Sequence, residues 1–182
     1  MPKCFSPEDR PQRDTIREVL TQGAARLVTP PDPADWEPSV ADKIKSLGFK
    51  EDAARAFDLL PLVLVAWADG TIQAEERVKI LDVLMLRGLQ GTSAFTMYEA
   101  LLEERPAEVY LQAALDVLRD LVADRADGGA SVVELCIEVA AAASDELGSL
   151  DPISAEEREA IAAVAAKLGP KAHEEVVKRL GA

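Results

Sequence analysis

The chain reads as all-α. Apolar residues recur at the three-to-four spacing of amphipathic helices, no stretch alternates as a half-buried strand does, and the breaks fall at Gly and Pro. Aromatic residues make up only 4% of the 182, against 48% hydrophobic, so the core must be aliphatic. Leu, Val, Ile and Ala are the usual material of close helix–helix packing.

In chain order, residues 1–12 are polar and carry Pro2, Pro7 and Pro11, a lead-in to the first helix. Asp14 can cap a helix through Leu27 with Ile16, Val19, Leu20 and Leu27 as its apolar stripe. Thr29-Pro30-Pro31-Asp32-Pro33 ends it, and this segment, to Pro38, is the one linker. Ser39 opens a short helix to Leu47, closed by Gly48. Seven helices are expected after that: Glu51 to Ala68 with a kink at Pro61, Gln73 to Arg87, Ser93 to Glu104, Pro106 to Asp124, Ser131 to Leu147, Ser154 to Leu168, and Pro170 to Leu180. Asp127-Gly128-Gly129 separates the fourth from the fifth. The division is an N-terminal extension, 1–49, and one helical domain, 50–182, a length suited to a single core.

Charge narrows the partners. Residues 1–50 hold eight acidic and eight basic side chains, whereas 51–182 hold 25 acidic and 12 basic, which accounts for the net −13. A nucleic-acid backbone needs clustered Lys and Arg, so nucleic acid is not an expected partner, nor is an anionic lipid surface. Cations and basic protein surfaces suit this chain better, although acidity also serves solubility alone. The longest apolar run, Leu59 to Ala68, is ten residues and contains Pro61. About 20 are needed to span a bilayer, so no direct membrane insertion is expected. The first residues hold no apolar signal-peptide core, and a cytoplasmic protein is the expectation. Cys4 and Cys136 do not suggest a disulfide framework, and a single histidine, His173, cannot complete a Cys/His zinc site.

Two segments match about eighty residues apart. Ile72-Gln73-Ala74-Glu75-Glu76-Arg77, followed by Ile80 and Leu84, parallels Ile153-Ser154-Ala155-Glu156-Glu157-Arg158, followed by Ile161 and Ala165. Each follows an apolar helix and a polar turn and opens a new helix. Ser154 and Glu157 have capping-box spacing, and the first-turn carboxylates lie at the positive end of the helix dipole. Each isoleucine would plug the start of its helix against the core.

The phrase Val65-Ala66-Trp67-Ala68-Asp69-Gly70-Thr71-Ile72-Gln73-Ala74-Glu75-Glu76-Arg77 resembles the signature of TerB-like (tellurite-resistance) domains, in which an alanine-rich helix ends in Asp-Gly and a helix with an early Glu follows. Ala140 to Leu168 is similar to that family's second turn, with a longer loop that lacks Asp-Gly. The resemblance covers residues 50–182. It implies a helical bundle of about seven helices with a pseudo-twofold internal repeat, preceded here by one or two extra helices. It also implies a link to tellurite and general stress resistance, a metal-sensing role, and protein partners at the inner face of the membrane.

The acidic turns are the candidate metal site, with Asp69, Glu75 and Glu76 in the first copy and Asp145, Asp151, Glu156 and Glu157 in the second. Neither copy is an EF-hand. With Asp69 at loop position 5, Gly70 and Glu76 fall at positions 6 and 12, but Val65 and Trp67 occupy ligand positions 1 and 3. The competing reading is that Asp69-Gly70 ends one helix and the glutamates start the next. Catalytic signals are absent: His173 sits in an exposed final helix, and Gly88-Leu89-Gln90-Gly91-Thr92-Ser93 lacks the lysine and spacing of a P-loop. Ser93 reads as a helix cap there. The expected function is a non-enzymatic interaction or sensing module binding a divalent cation at the acidic turns. The alternative is a structural adaptor whose acidic surface docks a basic or membrane-attached partner, and an enzyme with an acidic pocket comes third.

Overall fold

A computed structural model describes residues 37–142 and 153–181 of the chain. Among the described residues all regular structure is helical: α1 (Pro38–Ser46), a 3₁₀ helix η1 (Glu51–Leu59), α2 (Leu60–Ala66), α3 (Ala74–Leu86), α4 (Ser93–Glu103), α5 (Glu108–Val122), α6 (Ala130–Ala142), α7 (Ala155–Leu168) and α8 (Pro170–Leu180). The helix expected over Asp14 to Leu27, most of the linker, Cys4, and the end of the helix expected to reach Leu147 lie outside the described residues.

One short helix organises the rest. In α2 nearly every side chain is buried, and it packs against α3, α5, α6 and α7. A helix apolar all round has no solvent face to offer and belongs in the middle. At 25 cal/mol per Å², each fully buried aliphatic side chain contributes roughly 1.5–3 kcal/mol. The other helices keep one apolar stripe inward; α5, for example, buries Leu111, Ala114, Leu115, Leu118 and Val122.

The sequence suggested one kinked helix over Glu51 to Ala68; the chain instead winds as 3₁₀ to Leu59 and only then as α-helix. Pro61 has no N–H and sits in the first turn of α2, where a missing donor costs nothing. The tighter coil before it turns Phe57 inward, where its ring meets Phe49 edge-on at 5.0 Å. Tyr98 from α4 closes the cluster and donates its hydroxyl to the Ala56 carbonyl at 2.7 Å. The cap of α4 is Thr92 rather than Ser93, and its hydroxyl turns back to the Leu89 carbonyl at 2.6 Å.

Between α5 and α6 the chain passes close under α7. Gly129 has φ +83°, and a Cβ there would meet Leu168 Cδ1 at 3.1 Å, so both backbone and space demand glycine. Asp127 then accepts hydrogen bonds from the Ser131 hydroxyl and amide at 2.5 and 3.3 Å, starting α6. Cys136 is wholly buried on α6, and burial drives its thiol far above its ordinary value, as suits a small core residue. No helix among the described residues is long and apolar enough to cross a membrane.

Candidate functional site

The first turns of α3 and α7 are built alike. Ile72 and Ile153 pack against the core ahead of the two helix starts. In α7 the Ser154 hydroxyl accepts from the Glu157 amide at 3.2 Å, and the Ser154 amide donates to Glu157 Oε2 at 2.7 Å. That is the reciprocal box the sequence suggested. In α3 the Gln73 amide donates to Glu76 Oε2 at 2.8 Å, so a glutamate reaches back there as well. Each capping bond holds its carboxylate inward, on the core face of its own helix.

The two carboxyls meet. Glu76 is 1% exposed and Glu157 7%, and the two side chains are close enough to raise the proton affinity of Glu76. Two ionised carboxylates can only accept, so neither can satisfy the other unless one of them carries a proton. Glu76 Oε1 is fully buried and receives no N–H or hydroxyl donor. Burial above all, with Glu157 and the charge of Asp69 adding to it, raises the Glu76 carboxyl from 4.5 to about 8, against the lowering effect of the Gln73 amide. At neutral pH Glu76 therefore holds its proton.

The remaining sequence candidates divide. Asp69 is exposed at the end of the turn after α2, where its Oδ1 accepts from the Thr71 amide at 2.8 Å and hydroxyl at 3.2 Å. It reaches Glu76 through its charge. Glu75 is half-buried, and Glu156 is exposed on the rim of a groove between α2, α5 and α7. Asp145 and Asp151 lie outside the described residues. Among the described residues no three Asp, Glu, His or Cys side chains converge as a metal-holding group. The inward glutamates were distinguishable by periodicity, since Glu76 shares a face with Ile80, Val83 and Leu84, and Glu157 with Ile161, Val164 and Leu168.

A third buried acid escaped sequence reasoning. Asp58 on η1 is 3% exposed and takes a bidentate bond from Arg87, at 2.5 and 3.1 Å. Arg125 stands 3.7 Å away and also pairs with Asp127 at 3.3 Å. These arginines lie 29 and 67 positions beyond Asp58 along the chain, and no spacing rule connects such positions. His173 is exposed on α8, and Trp67 is half-buried with its indole N–H donated to the Leu101 carbonyl at 2.9 Å. Compared with known proteins, the chain matches no family model, no curated protein and no solved structure.

Proposed function

We propose that this chain is a non-enzymatic, TerB-like sensing and interaction module whose sensing element is the Glu76–Glu157 carboxyl pair. The observation that carries the reading is a buried pair of acids with no basic partner among the described residues, held by two similar helix starts. A site that keeps a proton only because nothing else neutralises it is a site a cation can take. A divalent ion of the oxygen-seeking kind would displace that proton, with Glu76 and Glu157 as ligands, Asp69 adding charge nearby, and water completing the shell.

The internal repeat belongs to the same proposal, with α2 and α3 as one half and α6 and α7 as the other. Reciprocal packing supports it: α2 lies on α6, and the contact of α2 with α7 is matched by that of α6 with α3. The carboxyl pair would sit where a pseudo-twofold axis passes. The link to tellurite and stress resistance, and to protein partners at a membrane, rests on the sequence resemblance.

The test is a titration of calcium, magnesium, manganese and zinc, followed by Trp67 fluorescence in a Trp36→Phe background. A saturable change that disappears in Glu76→Gln/Glu157→Gln and weakens in Asp69→Asn is the expected result. Apparent affinity should also fall as pH drops below about 8, because the ion competes with the Glu76 proton. No saturable response to any of the four ions would remove the cation reading and leave the adaptor role.

A further inference from the structure

Helix α3 is apolar on two sides. Its inner face buries Ile80, Val83 and Leu84 with Glu76, and α2, α4 and α6 pack against the helix. Its outer face carries Val78, 57% exposed, Met85, 39%, and Leu86, 57%, with Leu81 half-buried beside them. Among the described residues five large hydrophobic side chains stand exposed, and three of them are these. Positions 78, 81 and 85 fall on one stripe at helical spacing, with 86 at its edge. A helix apolar all round belongs in an interior, yet the described residues leave this side bare.

Charge on the same helix is sorted by side. Its two basic residues turn to the neighbouring helices, Arg77 to Glu103 of α4 at 3.3 Å and Lys79 to Glu138 of α6 at 3.2 Å. Glu75 and Asp82 share the outer side with Val78, and neither has a basic partner among the described residues. The bare face is therefore apolar and acidic. A second copy suits it poorly, because two such faces laid together set Glu75 and Asp82 of each against like charges. A helix of 13 residues is also only about 20 Å long, a small part of the roughly 800 Å² per partner that a stable dimer covers. An amphipathic helix with Lys or Arg beside its apolar stripe matches both the length and the sign.

We infer that the outer face of α3 is a docking surface for a basic amphipathic helix, which seats its apolar stripe on Val78, Leu81, Met85 and Leu86 and pairs its cations with Glu75 and Asp82. Docking there needs no ion at the Glu76–Glu157 pair, which lies on the opposite face of the same helix.

The full chain, in EDTA, is titrated into a short fluorescein-labelled helical peptide of Leu and Lys, with Leu on one stripe, and anisotropy reads the binding. Saturable binding is expected, and none to the same peptide with Glu in place of Lys. Val78→Asp/Leu86→Asp makes the protein more acidic, so general charge attraction would tighten binding, whereas loss of the apolar seat should weaken it about tenfold or more. Both side chains are more than half exposed, and circular dichroism checks that the variant folds. Asp82→Lys should weaken binding about threefold more than Glu159→Lys, the same charge change on the exposed side of α7, and this pair decides the matter should the double variant not fold. Binding that never saturates, is tightened by the two aspartates, or is weakened equally by the two lysines would overturn the inference. So would a dimer of the free chain, seen by light scattering, that Val78→Asp/Leu86→Asp takes apart, since the face would then belong to a second copy.

Discussion

Asp58 and Glu76 are both buried and are neutralised in opposite ways. Asp58 is met by the fork of Arg87, with Arg125 behind it, so its charge is matched inside the fold. Glu76 is met by another acid, Glu157, with Asp69 adding to the same sign. In the first arrangement the charge is matched by the fold: Arg87 forks onto both carboxylate oxygens of Asp58, and the group ties η1 to the end of α3. The second is complete only while a proton is present. Burial by itself says little about function, because a charge matched by the fold has no further use for a ligand, whereas one matched by a proton can exchange it.

The largest expected effect breaks the matched site. Asp58→Ala leaves the Arg87 guanidinium buried and its fork unfilled, and should cost about 3–5 kcal/mol in urea unfolding. A cost below about 1 kcal/mol would mean that the ion pair barely outweighs its own desolvation, and the contrast with Glu76 would lose its meaning.

A smaller effect sharpens the other side, through pH. The unfolded chain releases the Glu76 proton near 4.5, whereas the folded chain keeps it to about 8. Between those values the folded state holds the extra proton, so this contribution to stability is intact below about 4.5 and is lost as pH rises through 8. The expected loss is on the order of a few kcal/mol, since a tenfold change in proton affinity is worth about 1.4 kcal/mol. Glu76→Gln supplies a permanent donor to Glu157 and should flatten the profile, making the variant at least as stable as the parent at pH 8.5. If the variant keeps the parent's slope, the titrating group is elsewhere.

The smallest effect compares the two caps. Ser154→Ala removes the hydroxyl that accepts from the Glu157 amide and should cost about 1 kcal/mol. Gln73→Ala leaves the backbone amide that holds Glu76 and should cost a few tenths of a kcal/mol. Thermal unfolding of the two variants side by side gives the comparison, and equal costs would show that the starts of α3 and α7 are not held by the features named here.

Much of the local structure was legible in the amino acids. The helical class, the break at Asp127-Gly128-Gly129, the capping box at Ser154 and the buried Cys136 follow from residue type and short spacing, because helix starts and stops are decided within a few residues. Where local reading failed, the reason was also local. At Pro61 the rule for a kink was applied, but the preceding residues adopt a tighter coil that sets Phe57 into its cluster. The seven acidic candidates were weighed as one group, although helical phase alone separated Glu76 and Glu157 from Glu75 and Glu156.

By itself the sequence determined that the described chain would be helical, where its turns fall, and which stripe of each helix seeks the interior. Those are properties of bonds spanning three or four residues. Only the tertiary structure decided that Glu76 finds Glu157, that Asp58 finds Arg87 and Arg125, and that three helices leave a groove uncovered. A pattern of apolar positions tells each helix to hide one side but does not say against what. The identity of the neighbour, and hence whether a buried carboxyl meets a guanidinium or another carboxyl, emerges when the helices pack.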